Sequence, residues 1–228
     1  MFYLVGTSLG NIKDTSFRAV ETLIKVDVIL CEDTRTFSVY YQKVQDLFKI
    51  QPIKPQKLIS YYQKIEFEKL PLVLAYLNEN KDVALVTESG MPTISDPGSI
   101  LINQLIKIES PFTIIPGPTA FVNALVLSGL FSGKLLFCGF FPKKISQVYQ
   151  CIDTMMQIDK IYPKTSFVFY ESPHRINKTL EIINQLIPNA DICVCREMTK
   201  KFEEIIRGKP SQLIDKKYKG EISVILKL

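Results

Sequence analysis

The feature that most restricts how this chain can fold is its alternation of short apolar runs with amphipathic segments. Strand-length runs stand at residues 2–6, 28–31, 58–61, 83–86 and 112–115. Between them apolar residues return at helical spacing: Phe17, Val20 and Leu23 with Ile24, then Tyr40, Val44 and Leu47 with Phe48, then Phe67, Leu70, Leu74 and Leu77. A further helix is expected over about 98–108. Runs too short for helices, separated by segments of helical period, predict a mostly parallel α/β sheet. The pattern breaks at 129–134. Beyond it, strands are expected at 135–140, 166–170, 191–196, 203–207 and 221–227, with helices at about 145–158 and 173–186. Only a short segment separates the strands at 203–207 and 221–227, so the second sheet should contain antiparallel pairs. The expected architecture is two α/β domains, a parallel one over 1–130 and a mixed-sheet one over 131–228.

Composition narrows the setting. The chain has 228 residues, 46% of them hydrophobic, enough to bury a core without covalent staples. Its net charge of +5 permits a nucleic-acid partner without requiring one. Five cysteines stand at 31, 138, 151, 193 and 195, and none forms a C-x-x-C pair. Neither a disulfide framework nor a zinc ribbon is signalled, and buried free thiols in a reducing cytoplasm are expected. The N-terminus reads as a strand and lacks a basic n-region. No apolar stretch approaches the roughly 20 residues that span a bilayer. A soluble cytoplasmic protein with no membrane partner is the expectation.

Three strand ends are built alike. The strand at 83–86 runs into a Gly/Pro-rich loop, Thr87 to Gly98, in which Asp96-Pro97 is a good helix start. The strand at 112–115 runs into Pro116-Gly117-Pro118-Thr119, and that at 166–170 into Glu171-Ser172-Pro173-His174-Arg175. Open α/β sheets bind ligands outside the carboxyl ends of their strands, where helix starts offer free N–H groups. Gly90 and Gly117 would let backbone approach a ligand; equally, each loop is a well-made turn. A loop as long as 87–98 between a strand and its helix is more informative, because such loops are usually functional. The glycines form neither G-x-G-x-x-G nor G-x-x-x-x-G-K-[ST], and a single histidine excludes a multi-histidine metal site.

Polar clusters follow other strands. Glu32-Asp33-Thr34-Arg35 suits hydroxyl recognition, phosphate contact or proton transfer, or is a solvated turn with a local ion pair. His174 has the one side chain whose ordinary pKa lies near neutrality; it is placed in the first turn of a helix, to act chemically or simply to cap or pack. From Arg196 to Glu221 there are eight basic and five acidic residues, either a solvated face or a phosphate-positioning surface.

Taken together and in order, these motifs resemble a known family. They are Val5-Gly6-Thr7 with Gly10-Asn11, Arg18-Ala19, Cys31-Glu32-Asp33-Thr34-Arg35, Ile94-Ser95-Asp96-Pro97-Gly98, Pro116-Gly117-Pro118, Gly139-Phe140 with Pro142, Tyr170-Glu171-Ser172-Pro173-His174-Arg175, Arg196-Glu197 with Thr199-Lys200, and Lys219-Gly220-Glu221. The chain resembles S-adenosylmethionine-dependent methyltransferases of the tetrapyrrole-methylase fold, and within them the ribosomal RNA small subunit methyltransferase I family. Where that family usually reads Ser-Asp-Ala-Gly-Thr-Pro, this chain has Thr87-Glu88-Ser89-Gly90-Met91-Pro92.

The resemblance implies two α/β domains with a cofactor cleft between them. It implies 2′-O-methylation of a cytidine ribose in the decoding region of 16S ribosomal RNA, by a homodimer acting on that RNA or on the small ribosomal subunit. S-adenosylmethionine would be held by Glu88, Ser89, Gly90, Ser95, Pro116, Gly117 and Thr119, with Phe140 and Tyr170 on the adenine side. A ribose hydroxyl is a poor nucleophile, so a base should help; the candidates are Glu32, Asp33, His174 and Glu197. Arg35, Arg175 and Lys200 would hold RNA phosphates. No metal is implied. The rival readings are a small-molecule methyltransferase of the same fold, acting for instance on a tetrapyrrole, and a non-catalytic RNA-binding module.

Overall fold

Alternation within each strand decides which helices cover which face of the sheet. In the computed structural model, which describes residues 1–228, β1 (Phe2–Val5), β2 (Val28–Cys31), β3 (Lys57–Ser60), β4 (Val83–Val86) and β5 (Phe112–Ile115) form a parallel sheet in the order β3-β2-β4-β1-β5. Ile29 and Cys31 of β2 point one way, into a cluster with Val20, Leu23, Phe37 and Val44 of α1 (Phe17–Leu23) and α2 (Thr34–Phe48). Val28 and Leu30 point the other way, against Val73, Tyr76, Leu101 and Leu105 of α3 (Glu66–Asn78) and α4 (Ser99–Lys107). Covered on both faces, β2 and β4 are buried at every position, which is why their sequences are unbroken apolar runs.

The first helical segment, marked by Phe17, Val20, Leu23 and Ile24, has a separate turn ahead of it. Ile12–Asp14 forms a 3-10 turn, and α1 starts afresh where the Ser16 hydroxyl accepts the Ala19 N–H at 3.1 Å.

The second unit opens with α5 (Ala120–Ser128). Its sheet contains β6 (Leu135–Phe140), β7 (Ser166–Glu171), β8 (Asp191–Arg196), β9 (Glu204–Gly208) and β10 (Ile222–Lys227) in the order β6-β7-β10-β8-β9. The β6–β7 pair is parallel and every other pair antiparallel. β9 and β10, close in sequence, are not neighbours: β9 folds back on β8, and β10 inserts between β7 and β8. One face packs on α6 (Ile145–Ile161), α7 (Ile176–Leu186) and the short α8 (Pro210–Leu213); the other is covered by Ala124 and Leu125 of α5.

The packing of α5 corrects the expected domain limits. The two compact units divide at Thr119/Ala120, so α5 belongs to the second unit and the 130/131 boundary is displaced. The break at 129–134 is the turn between α5 and β6, and α5 seats its apolar side on Val168, Cys193, Cys195 and Ile225 of the second sheet.

Candidate active site

The strand order of the first unit creates one crevice. From β2 the chain leaves through α2 toward β3, and from β4 it leaves through α4 toward β5, on the opposite side. Diverging connections from neighbouring parallel strands open a gap at their carboxyl ends, where ligands of such sheets bind. Here that gap holds about 250 Å³ of space open to solvent, lined by Cys31, Glu32, Asp33, Thr36, Phe37, Tyr40, Thr87 and Glu88.

Two acids meet in it. Glu32, half-buried just after β2, has its carboxyl raised above the ordinary value, first by burial and then by the negative charge of Glu88. The Glu88 backbone N–H donates to it and offsets part of the shift. The Cys31 thiol beneath is pushed up to about 12 by burial and the surrounding carboxylates, so it stays protonated. Asp33 does something else. Its carboxylate caps α2, accepting the N–H groups of Arg35 at 2.8 Å and Thr36 at 2.9 Å, and these bonds lower its pKa. Arg35 lies exposed in the first turn of the same helix.

The 87–98 loop borders this crevice and is pinned at both ends. The Thr7 N–H donates to the Gly90 carbonyl at 2.9 Å, and the Ser89 hydroxyl to the Leu9 carbonyl at 3.3 Å. At the far end, the buried Glu66 carboxylate accepts the Gly98 N–H at 2.7 Å and the Ile100 N–H at 3.3 Å, anchoring the start of α4. Asp96 therefore does not cap α4; Gly98 occupies the cap position and Glu66 satisfies the amides from α3. Thr93 and Ser95 adopt left-handed φ angles of 71° and 67°, and Ser95 is exposed. Gly117 is required by packing: a Cβ there would stand 2.8 Å from the Gly6 Cα, so the β1 and β5 ends touch backbone to backbone. Met91 completes the junction, its Sδ accepting the Gly117 N–H at 3.1 Å. Pro116 is exposed and Thr119 partly so.

The second unit treats its expected site residues unevenly. Phe140 and Tyr170 form an aromatic corner with Phe137: the Tyr170 ring stands edge-on to Phe137 at 5.1 Å and to Phe140 at 5.5 Å, and Phe140 is 66% exposed. Arg175 is internally engaged. It pairs with the fully buried Glu171 at 2.5 Å and donates to the Phe141 and Pro142 carbonyls at 3.3 and 2.9 Å. Lys200 bridges Glu197 at 3.4 Å and Glu221 at 2.9 Å, and Glu197 also accepts the Glu221 N–H. Burial raises the Glu197 carboxyl, but that N–H and Lys200 outweigh it and hold the pKa below normal. Gly220 is dictated by this knot, since a Cβ would overlap the Glu197 carboxylate. His174 is exposed in the turn before α7 rather than in its first turn, its backbone N–H donating to the Ser172 hydroxyl at 3.3 Å.

Of the four expected bases, then, Glu32 alone combines a raised pKa with a crevice. Asp33 and Glu197 are held as carboxylates by hydrogen bonds they also need structurally. Two contributors are not evident in the sequence. Thr87 Oγ is buried in the crevice wall with no hydrogen-bond partner; a polar residue closing an apolar strand is its one signal. Glu66, a charge at the head of an amphipathic helix, carries none.

No helix of the chain is long and apolar enough to cross a membrane. Residues 1–214 match the family of tetrapyrrole (corrin/porphyrin) methylases. Ribosomal RNA small subunit methyltransferase I of Mesomycoplasma conjunctivae is 40% identical over 99% of this chain and 90% of its own. The protein of that name from Hydrogenobaculum sp. is 37% identical, covering 98% and 94%, and that of Bacillus subtilis 31%, covering 99% and 74%. Among solved structures, the methyltransferase CobJ superposes with a TM-score of 0.72 at 17% identity, covering 99% of this chain and 92% of that one. Uroporphyrin-III-C-methyltransferase from Thermus thermophilus gives 0.64 at 17%, covering 98% and 93%. A parallel first unit, a mixed second unit and full-length similarity to these enzymes place the chain in the tetrapyrrole methylase family, and within it in the ribosomal RNA small subunit methyltransferase I family.

Proposed function

We propose that this protein transfers a methyl group from S-adenosylmethionine to the 2′-hydroxyl of a cytidine in the decoding region of 16S ribosomal RNA. The observation that carries the reading is the β2/β4 crevice with Glu32 and Glu88 side by side. S-adenosylmethionine bears a sulfonium and an ammonium group, and the residues present suit it. The Glu88 carboxylate lines the crevice without an ion-pair partner, and the Thr87 hydroxyl is an orphan in its wall. Ser89, Gly90 and Ser95 of the bordering loop, with Pro116, Gly117 and Thr119 after β5, would complete the first unit's cofactor contacts.

When bound, the cofactor supplies an electrophilic methyl group. Glu32 would hydrogen-bond the attacking hydroxyl and take its proton as the oxygen–methyl bond forms and the methyl–sulfur bond breaks, the donor leaving as neutral S-adenosylhomocysteine. Its raised pKa strengthens it as a base. Glu88 has two effects: it keeps the pair negative toward a cationic donor and raises the basicity of Glu32. Orientation of the hydroxyl supplies the rest of the acceleration.

The substrate in this reading is the small ribosomal subunit or its RNA, in the cytoplasm. We also propose a homodimer, supported by the apolar edge strand β6, where Leu135, Leu136 and Phe140 are exposed. The test is a labelled-methyl assay on small subunits lacking the modification, followed by digestion to nucleosides. Label in 2′-O-methylcytidine is expected. Label in a small molecule alone, or none anywhere, overturns the reading.

A further inference from the structure

In the second unit β6, β7 and β8 all end at one edge of the sheet, where β9 and β10 begin. Four loops therefore share that edge: 141–144, 172–175, 197–203 and 214–221. Nearly every acid there is occupied from within. Glu171 is held by Arg175, the Thr179 hydroxyl and the Ser172 N–H; Glu197 and Glu221 by Lys200; Glu204 by Arg196; Glu203 by the Thr199 N–H. The lysines are not. Lys143, Lys144, Lys201, Lys216, Lys217 and Lys219 are exposed without acidic partners, and Asp215 is the one acid left free beside them.

The opposite edge carries fewer free lysines: there Lys209 is paired with Asp191 and Lys134 donates to the Pro163 carbonyl, while Lys160 and Lys164 are exposed without an ion pair. At the tip of the β8–β9 hairpin Phe202 is 65% exposed, with the Lys201 ammonium 5.6 Å from its ring centroid. Five strands about 4.8 Å apart spread the loops over about 19 Å, a width suited to a line of phosphates rather than a single one.

We propose that this lysine edge, with Phe202 at its tip, is the surface that binds the RNA, its ammonium groups on successive phosphates and the phenyl ring stacked on an unpaired base. The proposal rests on the ribosomal RNA reading for the identity of the polyanion. It also reassigns the contacts: Arg175 and Lys200, two of the family-motif cations, hold the loops in shape, while Lys219 of the closing motif and the lysines outside the motifs meet the RNA.

The test uses the full-length protein and a fluorescein-labelled oligoribonucleotide of the 16S decoding-region sequence, with affinity measured by anisotropy across a potassium chloride series. In a Lys201→Gln/Lys216→Gln/Lys217→Gln/Lys219→Gln variant the plot of log affinity against log salt should become shallower by about 0.7 for each phosphate no longer neutralised, up to about 2.8. Phe202→Ala should weaken binding about tenfold at every salt concentration with the slope unchanged. A Lys25→Gln/Lys107→Gln control, one in the turn before β2 and the other at the end of α4, should match wild type. Unaltered S-adenosylmethionine titration shows each variant is folded.

If wild type binds the RNA and methylates small subunits, and the quadruple variant keeps its slope, the surface is wrong and the enzymatic reading stands. If wild type transfers no methyl group to subunits but the slope falls as stated, the methylation reading fails and the RNA surface survives. Equal lysine-dependent binding to phosphatidylserine vesicles would overturn the assignment to RNA.

Discussion

Truncating Arg175 tests whether this cation is structural. Glu171 is fully buried, and Arg175 is its one ionic partner. Removing one member of a buried pair leaves an uncompensated charge and costs about 3–5 kcal/mol. Arg175 is 28% exposed, so water reaches its side of the pair and the low end of that range applies. The Ser172 N–H and Thr179 hydroxyl, each 2.7 Å from the carboxylate, remain to solvate it. An Arg175→Ala loss of about 3 kcal/mol lowers protection of the slowest amides by about a hundredfold. Hydrogen exchange read by mass spectrometry isolates the effect, because β7 and β10 peptides should lose protection while β1 and β4 peptides keep theirs. A Glu171→Gln/Arg175→Met variant, which removes both charges, should recover most of the loss. Protection within about threefold of wild type in Arg175→Ala would refute the argument. So would a double variant as weak as the single one. The same Arg175→Ala protein should show an undiminished salt dependence of RNA binding; a slope shallower by about 0.7 would mean that Arg175 is free to meet a phosphate.

Four further outcomes are expected. Glu32→Gln should lower methyl transfer by about 10²–10⁴-fold while leaving S-adenosylmethionine binding intact by titration. Because burial and Glu88 raise the Glu32 pKa, wild-type turnover, which needs the carboxylate, should fall as pH drops toward that raised value, at a higher pH than an ordinary glutamate would give; single-turnover rates across pH check this. Glu66→Ala strands the Gly98 and Ile100 amides and should destabilise the first unit by about 2–4 kcal/mol, with Glu66→Gln milder, as measured by urea denaturation followed by circular dichroism. Gly6→Ala or Gly117→Ala forces the β1 and β5 ends apart and should cost about 1–3 kcal/mol in the same assay, whereas Gly129→Ala has open space and should be limited to the strain of its positive φ.

Much of the first unit was legible because its signals are local. A run such as Val83–Val86 is apolar at every position only when both faces are covered, and the helices between strands carry their own 3.6-residue period. Glu32 and Glu88 could be placed at strand ends for the same reason. That they share one crevice depends on β4 pairing with β2 in the sheet, which no short window of sequence contains.

Electrostatic roles were legible least. Asp33, Arg175, Glu197 and Lys200 have the residue types that chemistry and RNA binding would use, and composition cannot separate a free charge from a spent one. Partners up to 34 residues away decide it, as Arg175 reaching the Phe141 carbonyl shows.

The sequence by itself determined the alternation of strands and helices, the two-part α/β architecture and the family, because these rest on periodicity and on motifs in fixed order. The tertiary structure decided that α5 packs with the second sheet, that Glu32 is the acid with a raised pKa, and that Arg175 and Lys200 are paired while Lys201, Lys216, Lys217 and Lys219 are not. Burial and charge pairing are properties of neighbours in space, and the folded sheet order chooses those neighbours.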